Sequence, residues 1–167
     1  ARRQRQMCIR DRNILDGLSW LGLNWDEDLI NQSERIEDHK VVIKKLLDQG
    51  LAYRCFMSEK ESQQLKETQK KSGLPPKHDN RYRDLSKSEI ESFINAGKSS
   101  VIRFRIDDNA QISWNDEIRG EIKWVGKDLG GDMVLSRRAY GHEIGSPLYN
   151  LAVVIDDNFM NITHVIR

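Results

Sequence analysis

The fold class is decided by the stretch SPLYNLAVVIDDNFMNITHVIR, which covers Ser146 to Arg167. Pro147 suits the first turn of a helix because it has no N–H group to leave unpaired, and Ser146 before it predicts an N-cap. Apolar residues then recur at helical spacing around nearly the whole circumference, which predicts a buried helix. The β-branched residues that follow, from Ile162 to Ile166, predict a strand that ends at Arg167.

A buried helix that leads into a strand indicates an α/β fold. Arg167 would lie at the carboxyl end of that strand, which is where ligands bind in open α/β sheets. Its guanidinium group can bind a carboxylate or a phosphate through two parallel hydrogen bonds, although a purely structural ion pair is an equal alternative at this point. Tyr149, on the first turn of the helix, would reach the same crevice.

Composition excludes several classes of protein. The 167 residues include 27 Lys and Arg against 26 Asp and Glu, so the formal charge of +1 gives no global nucleic-acid signature. No apolar run approaches the roughly 18 residues that a membrane span needs. Two cysteines, Cys8 and Cys55, are too few for a disulfide framework, which predicts reduced thiols and a cytoplasmic location.

The first dozen residues have an unusual composition, with five arginines and one aspartate before the first helical pattern. We interpret residues 1–12 as a non-native leader, and a basic RNA-binding arm is the alternative. From Asn13 the chain predicts a helix, then a second helix that begins after Ser33 as N-cap and stops at Gly50, and then a strand over residues 51–56.

The pattern changes near Ser58, where an antiparallel α+β module begins. Ser86 and Glu89 form a capping-box pattern before a short helix, and residues 101–106 and 118–124 read as strands. We therefore predict that residues 54–145 are an insertion. They would interrupt one α/β body that is built from residues 13–53 and 146–167.

Few residues stand at spacings that indicate chemistry. The Gly-rich phosphate loops and the Gly-x-Ser-x-Gly nucleophile motif are absent from the sequence. The four dispersed histidines are expected at surface or capping positions; they are His39, His78, His142 and His164. Asp156 and Asp157 end the buried helix, where the macrodipole disfavours negative charge, which predicts a structural ion pair with an arginine rather than a metal site.

Several stretches, in this order along the chain, together resemble the glutamyl-tRNA synthetase family. The resemblance covers Asn13 to Arg167, and its most specific part is the final stretch, Tyr149 to Arg167. The earlier matching segments are Ile14–Glu27, Gln32–Arg35, Ala52–Phe56, Lys77–Arg81, Val101–Phe104 and Arg119–Ile122.

This resemblance implies a class I aminoacyl-tRNA synthetase with a Rossmann-like catalytic domain. Such an enzyme uses ATP and Mg²⁺ to convert L-glutamate into glutamyl-adenylate and then transfers the glutamyl group to the 3′ end of tRNA(Glu). By the resemblance, Tyr149, Val153 and Arg167 would line the glutamate pocket. We expect a monomer without a membrane partner.

The insertion, by the same resemblance, would bind the acceptor end of the tRNA. The basic stretch around Lys77, Arg81 and Arg83 has the charge that phosphate contacts require, and a solvated surface is the alternative for each of these residues. Some family members bind zinc in this insertion through three cysteines. The corresponding positions here hold Cys55, Met57 and Tyr82, so no zinc is expected.

Both signature motifs of the family and the acidic residue that would receive the substrate's amino group are missing from the sequence. The chain is therefore predicted to be a fragment that is inactive alone. Three alternatives remain open: a shorter paralogue that glutamylates a modified base in tRNA(Asp), a stand-alone RNA-binding module, and an α/β domain without any role on RNA.

Overall fold

The computed structural model describes residues 12–166, which form two compact units that divide between Asn31 and Gln32. In the first unit, residues 12–20 are helical. The helix ends because Gly22 adopts a left-handed φ of 73°, and the Leu23 N–H group then donates to the Leu18 carbonyl at 3.0 Å. This is the geometry of a glycine C-cap, and the helix itself agrees with the one predicted from Asn13.

The second unit contains four α-helices and five strands among its described residues. The helices are α1 (Ile36–Asp48), α2 (Glu59–Lys71), α3 (Lys87–Asn95) and α4 (Tyr149–Phe159), and the strands are β1 (Ala52–Cys55), β2 (Val101–Phe104), β3 (Gln111–Asp116), β4 (Gly120–Val125) and β5 (Met133–Val134). Short 3₁₀ turns over Gln32–Arg35 and Gly126–Leu129 complete the order. No helix in this described part of the chain is both long and apolar enough to cross a membrane.

All strand pairs of the second unit are antiparallel. One sheet has the order β1-β2-β5, with Ala52 opposite Phe104 in the first pair and Arg103 opposite Val134 in the second. The other sheet is the β3–β4 hairpin, whose turn is closed by the Asp116 carboxylate. The antiparallel pairing between residues 54 and 145 agrees with the prediction, whereas β3 was not predicted, although Ile112 and Trp114 alternate with polar residues along it.

The three-stranded sheet is covered on both faces because side chains alternate along a strand. On one face Ala52 and Ile102 pack with Ile43 of α1, and Leu151 of α4 joins that cluster. On the other face the neighbouring Tyr53 packs in a second cluster, which α2 reaches through Leu65. The sheet therefore holds α1 and α4 against one side and α2 against the other.

Local signals set most of the helix ends. Ser86 and Glu89 form the predicted capping box at the start of α3, and Ser58 forms one with Glu61 at the start of α2. Gly50, with a φ of 70°, ends α1 as expected. The prediction for Ser33 was wrong, because it lies inside the 3₁₀ turn and Arg35 is the N-cap of α1.

The predicted start of α4 was also wrong. Leu148 is the N-cap, and the helix begins at Tyr149 instead of Pro147. The reason lies in the backbone hydrogen bonds that precede the helix. Ser146 O accepts from Arg137 N at 2.7 Å and Leu148 N donates to Leu135 O at 2.8 Å, which keeps residues 146–148 extended.

Two further expectations for the final stretch are not met in this chain. Only Ala152 and Asp156 of α4 are buried, while Val154 is 63% exposed, because the described residues cover only one side of the helix. Residues 162–166 form no strand, since a strand requires a pairing partner and the described residues provide none. The division into residues 13–53, 54–145 and 146–167 remains a prediction, and its first boundary falls inside β1.

Candidate functional site

Two of the three predicted glutamate-binding residues share one side of α4. Tyr149 stands on the first turn and is 70% exposed, and Val153 follows one turn later in a half-buried position. Residues four apart on a helix are neighbours on its surface. Arg167, the third predicted residue, lies outside the described residues.

A polar cluster anchors the same helix two turns beyond Tyr149. Asp156 Oδ1 lies 2.8 Å from His39 Nε2 and 3.3 Å from Arg35 Nε, and Gln32 Nε2 donates to Oδ2 at 3.1 Å. The Arg35 guanidinium group also stacks 3.6 Å above the Phe159 ring. We call Gln32, Arg35, His39 and Asp156 the α1–α4 cluster. It fixes the rotation of α4, and so it determines which way Tyr149 and Val153 face.

The charge of Asp156 is stabilised inside this cluster. Burial alone would raise the pKa of the Asp156 carboxyl, but the hydrogen bonds from His39 and Gln32 and the charge of Arg35 outweigh it and lower the pKa below its ordinary value. The predicted ion pair with an arginine is therefore confirmed. The expectation that His39 occupies a surface or capping position was wrong, because α1 packs against α4 and leaves His39 with 0% exposure.

The three predicted tRNA-binding residues are each paired with an acid. Lys77 Nζ lies 3.7 Å from Asp108 Oδ1, and both side chains are exposed. Arg81 forms a close, hydrogen-bonded ion pair with Asp79, and the hydrogen bond to Asp79 raises the pKa of Arg81. Arg83 is paired with a buried carboxylate, Asp132. The structure thus brings Lys77, Arg81 and Arg83 into one loop, with their charges locally balanced.

Asp132 organises the inner side of that loop. Its side chain has 0% exposure and receives two parallel bonds from Arg83, with Nε at 2.8 Å and Nη2 at 2.5 Å. The Ile106 N–H group donates to the same carboxylate at 2.9 Å. Burial would raise the pKa of Asp132, but these bonds lower it instead. Burial beside Asp132 also raises the pKa of Tyr53.

Asn80 connects this carboxylate to a buried thiol. With the amide oriented to satisfy its neighbours, its nitrogen donates to His78 Nδ1 at 2.9 Å and its oxygen accepts from Arg83 Nη2 at 3.0 Å. His78 Nε2 then lies 3.6 Å from Cys55 Sγ. Burial lowers the pKa of His78. The half-buried ring also accepts from the Asn80 backbone N–H group through Nδ1 at 3.0 Å, which agrees with the expected capping role.

The residues around Cys55 do not suit a zinc ion. Structural zinc sites use four ligands, chiefly thiolates and imidazoles. Here Cys55 and His78 supply one of each, while the other cysteine positions of the family hold Met57 and Tyr82, which pack as apolar neighbours of the thiol. Within residues 12–166 no three His, Cys, Asp or Glu side chains are grouped to hold a metal. The absence of zinc remains a prediction.

The sequence interpretation missed the inner members of these clusters, above all the buried His39 and Asp132 and the half-buried Asn80. One signal was present for Asp132, which follows the pair Gly130-Gly131. Gly131 has a φ of 92°, and a Cβ atom there would lie 3.0 Å from the His78 carbonyl oxygen. The glycine is therefore required where this backbone passes close to the Lys77–Arg83 loop.

Comparison with known proteins places the chain in context. The family described as "tRNA synthetases class I (E and Q), catalytic domain" matches residues 3–167. A Glutamate--tRNA ligase of Prochlorococcus marinus subsp. pastoris is 71% identical over 155 residues, which are 93% of this chain and 32% of that protein. The corresponding protein of strain MIT 9301 is 70% identical over 156 residues, again 93% of this chain and 33% of its own length.

A solved structure has the same fold. The crystal structure of a glutamate tRNA ligase from Elizabethkingia meningosepticum, in complex with its amino acid, superposes with a TM-score of 0.77 at 28% identity and covers 93% of this chain and 33% of its own. The match agrees with the predicted fold class, in which the chain is part of an α/β, Rossmann-like catalytic domain. The chain spans about a third of the length of the relatives that it matches.

Proposed function

Because the chain belongs to the catalytic-domain family of class I tRNA synthetases for glutamate and glutamine, we propose that it forms part of a glutamate–tRNA ligase. The observation that supports glutamate as the amino-acid substrate is the 71% identity over 155 residues to a Glutamate--tRNA ligase. In the proposed reaction the α-carboxylate of glutamate attacks the α-phosphate of ATP, which yields glutamyl-adenylate and pyrophosphate. The terminal ribose hydroxyl of tRNA(Glu) then attacks the activated carbonyl and releases AMP.

The residues of this chain would contribute binding and orientation. We assign Tyr149, Val153 and Arg167 to the glutamate pocket, and the neighbouring positions of the exposed Tyr149 and the half-buried Val153 on α4 support that assignment. A guanidinium group at Arg167 would favour the side-chain carboxylate of glutamate over the neutral amide of glutamine, because the amide leaves the positive charge underpaired. The ATP and its Mg²⁺ would be bound mainly by segments of the longer enzyme.

The second proposed contribution is to RNA. Residues 54–145 would bind the acceptor end of tRNA(Glu), with the loop of Lys77, Arg81 and Arg83 close to it. The free thiol of Cys55 is consistent with a reaction in the cytoplasm, and we expect the enzyme to act as a monomer.

An exchange experiment tests the proposed reaction. The matching 155 residues of the Prochlorococcus marinus subsp. pastoris ligase would be replaced by those of this chain, and charging of tRNA(Glu) with labelled glutamate would be measured. We expect the chimera to charge the tRNA and the isolated 167-residue chain to be inactive. Charging by the isolated chain would refute the fragment proposal, and a folded but inactive chimera would refute the glutamate–tRNA ligase function.

Tyr149→Ala in this chimera tests the glutamate pocket. We expect KM for glutamate to rise by about tenfold or more, the effect of removing one direct interaction with the substrate worth roughly 1.4 kcal/mol. KM for ATP should stay constant. Val154→Ala is the matched control, because Val154 is 63% exposed on another side of α4. An equal rise in KM for glutamate in both variants would show that Tyr149 does not line the glutamate pocket.

A further inference from the structure

The α1–α4 cluster meets α4 on the same side of the helix as the proposed glutamate pocket. Asp156 comes seven residues after Tyr149, which is just under two turns of a helix with about 3.6 residues per turn. The two positions therefore lie within about 20° of each other around the helix axis and about 10 Å apart along it. Val153 lies between them, one turn from either. The pocket residues and the cluster thus belong to one stripe of α4.

The two ends of α4 are held by different kinds of contact. Before the helix, the Leu148 N–H group donates to the Leu135 carbonyl at 2.8 Å, which fixes where the helix begins. Further along, Leu151 and Ala152 pack into the core. Apolar packing is not directional, whereas a hydrogen bond requires an aligned donor and acceptor. The rotation of α4 about its own axis therefore depends on the polar contacts of Asp156.

His39 makes the most buried of these contacts. Its side chain has 0% exposure, and Nε2 lies 2.8 Å from Asp156 Oδ1. The other ring nitrogen, Nδ1, has no hydrogen-bond partner among residues 12–166. Within the described chain, the bond to Asp156 is thus the polar contact of this side chain. A substitution of His39 breaks the link between α1 and α4 without breaking a second side-chain hydrogen bond.

A small rotation of α4 is sufficient to misplace the pocket residues. Side chains extend to about 5–6 Å from the axis of a helix, so a rotation of about 10° moves their ends by roughly 1 Å. A misplacement of about 1 Å in a group that orients a substrate can cost up to about a hundredfold in rate. Tyr149 is exposed, so the position of its hydroxyl group depends on the helix that carries it.

We propose that Arg35, His39 and Asp156 are positioning residues for the glutamate substrate. They do not touch the substrate, and they set KM for glutamate by holding α4 at the rotation that presents Tyr149 and Val153 to the pocket. The proposal rests on the proposed function and adds to it a group of residues remote from the bound amino acid. Because the cluster acts through α4, its loss affects the binding of glutamate and leaves the binding of ATP unchanged.

His39→Leu in the chimera with the Prochlorococcus marinus ligase tests the proposal. Leucine fills most of the space of the imidazole ring but has no N–H group for Asp156. We expect KM for glutamate to rise about fivefold or more and KM for ATP to stay within about twofold. His39→Gln, which again places an N–H donor near Asp156, should restore most of the affinity for glutamate.

Phe93→Ala is the control for a general loss of stability. Phe93 lies on α3 and stacks on Phe56 with 4.8 Å between the ring centroids, so its removal destabilises the chain away from the α1–α4 cluster. Urea unfolding of both variants shows that each is folded under the assay conditions. KM for glutamate in Phe93→Ala should stay within about twofold of the unmodified chimera.

A double-mutant cycle with Tyr149→Ala separates positioning from a merely structural role. Two substitutions that act independently multiply their effects on KM, whereas coupled ones do not. If His39 acts through the Tyr149 side chain, little remains for His39→Leu to change once that side chain is absent. We expect its effect on KM for glutamate to fall to about twofold or less in the Tyr149→Ala background. The same factor in both backgrounds would overturn the proposal.

The remaining outcomes are also decisive. An unchanged KM for glutamate in His39→Leu, equal rises in KM for glutamate and ATP, or an equal rise in Phe93→Ala would each refute the positioning role while the glutamate–tRNA ligase function stands. A folded chimera that does not charge tRNA(Glu) contradicts that function, and the positioning role with it. If His39→Leu does not fold, Asp156→Asn takes its place in the same cycle with the same expected results.

Discussion

Replacing Asp132 by alanine is expected to lower the free energy of unfolding by about 3 kcal/mol, the effect of removing one partner from a buried ion pair. The Asp132 side chain has 0% exposure, and Arg83 keeps only 24%. The substitution leaves the Arg83 guanidinium group without its carboxylate and the Ile106 N–H group without its acceptor. An unpaired buried donor costs more than the bond itself contributes.

Urea unfolding followed by far-ultraviolet circular dichroism measures this change. Asp84→Ala is the matched control, because Asp84 also pairs with an arginine, Arg105, but is 82% exposed. Exposed pairs of this kind contribute at most about 1 kcal/mol. Combining Asp132→Ala with Arg83→Ala should be less destabilising than the sum of the single changes. Similar losses for Asp132→Ala and Asp84→Ala would show that Asp132 does not organise the loop.

The pairing of Asp132 with Arg83 could not have been predicted from the sequence, although the Gly130-Gly131 pair before Asp132 was a signal. Asp132 and Arg83 are separated by 49 residues, and only the β1-β2-β5 sheet brings them together. Asp84 directly follows Arg83 in the sequence and Asp132 does not, yet it is Asp132 that pairs with Arg83. For the same reason the sequence predicted a basic loop at Lys77–Arg83 but could not show that its charges are balanced.

Features that depend on near neighbours in the chain were predictable. The Ser86–Glu89 capping box and the stop at Gly50 are set by the backbone of the same turn, and both were confirmed. The expectation that Asp156 needs an arginine partner also came from a local cause, the dipole of its own helix. By contrast, residues 162–166 were expected to form a strand, and a strand depends on a partner that the described residues do not supply.

In the candidate site, too, features set by near neighbours in the chain were predictable and contacts between distant residues were not. Helical spacing was sufficient to place Tyr149 and Val153 on one side of α4. Spacing could not show that His39, 117 residues before Asp156, fixes the rotation of that helix. Helical spacing places His39 on the apolar face of α1 with Ile36 and Ile43, but it does not identify Asp156 as its partner.

Replacing Asp156 by asparagine is therefore expected to loosen the contact between α1 and α4. At pH 7 we expect the free energy of unfolding to fall by about 2 kcal/mol, because Arg35, with 13% of its side chain exposed, loses its buried countercharge. Asparagine keeps the size of the side chain and one oxygen for His39. The loss should therefore reflect the charge and not a cavity.

The pH dependence of this loss has a definite sign. The pKa of Asp156 is lowered in the folded chain, whereas an unfolded aspartate has a pKa of about 3.9. Its contribution is complete above the unfolded pKa and is lost as the pH falls through the lower, folded pKa. The stability difference between the unmodified chain and Asp156→Asn should be constant above about pH 5 and should shrink below about pH 4.

Asp157→Asn provides the control that isolates the α1–α4 cluster from the general effect of removing an acid. Asp157 is the next residue of the same helix, yet Arg35, His39 and Gln32 all contact Asp156. Because negative charge near a helix C-terminus is unfavourable, Asp157→Asn should leave stability unchanged or raise it slightly. Unfolding measured from pH 3 to 8 distinguishes the two variants. Two results would contradict the role of the Asp156 charge in fixing α4: equal losses of stability in both variants, or a stability loss in Asp156→Asn that grows on acidification. In either case the inferred orientation of Tyr149 and Val153 loses its structural basis.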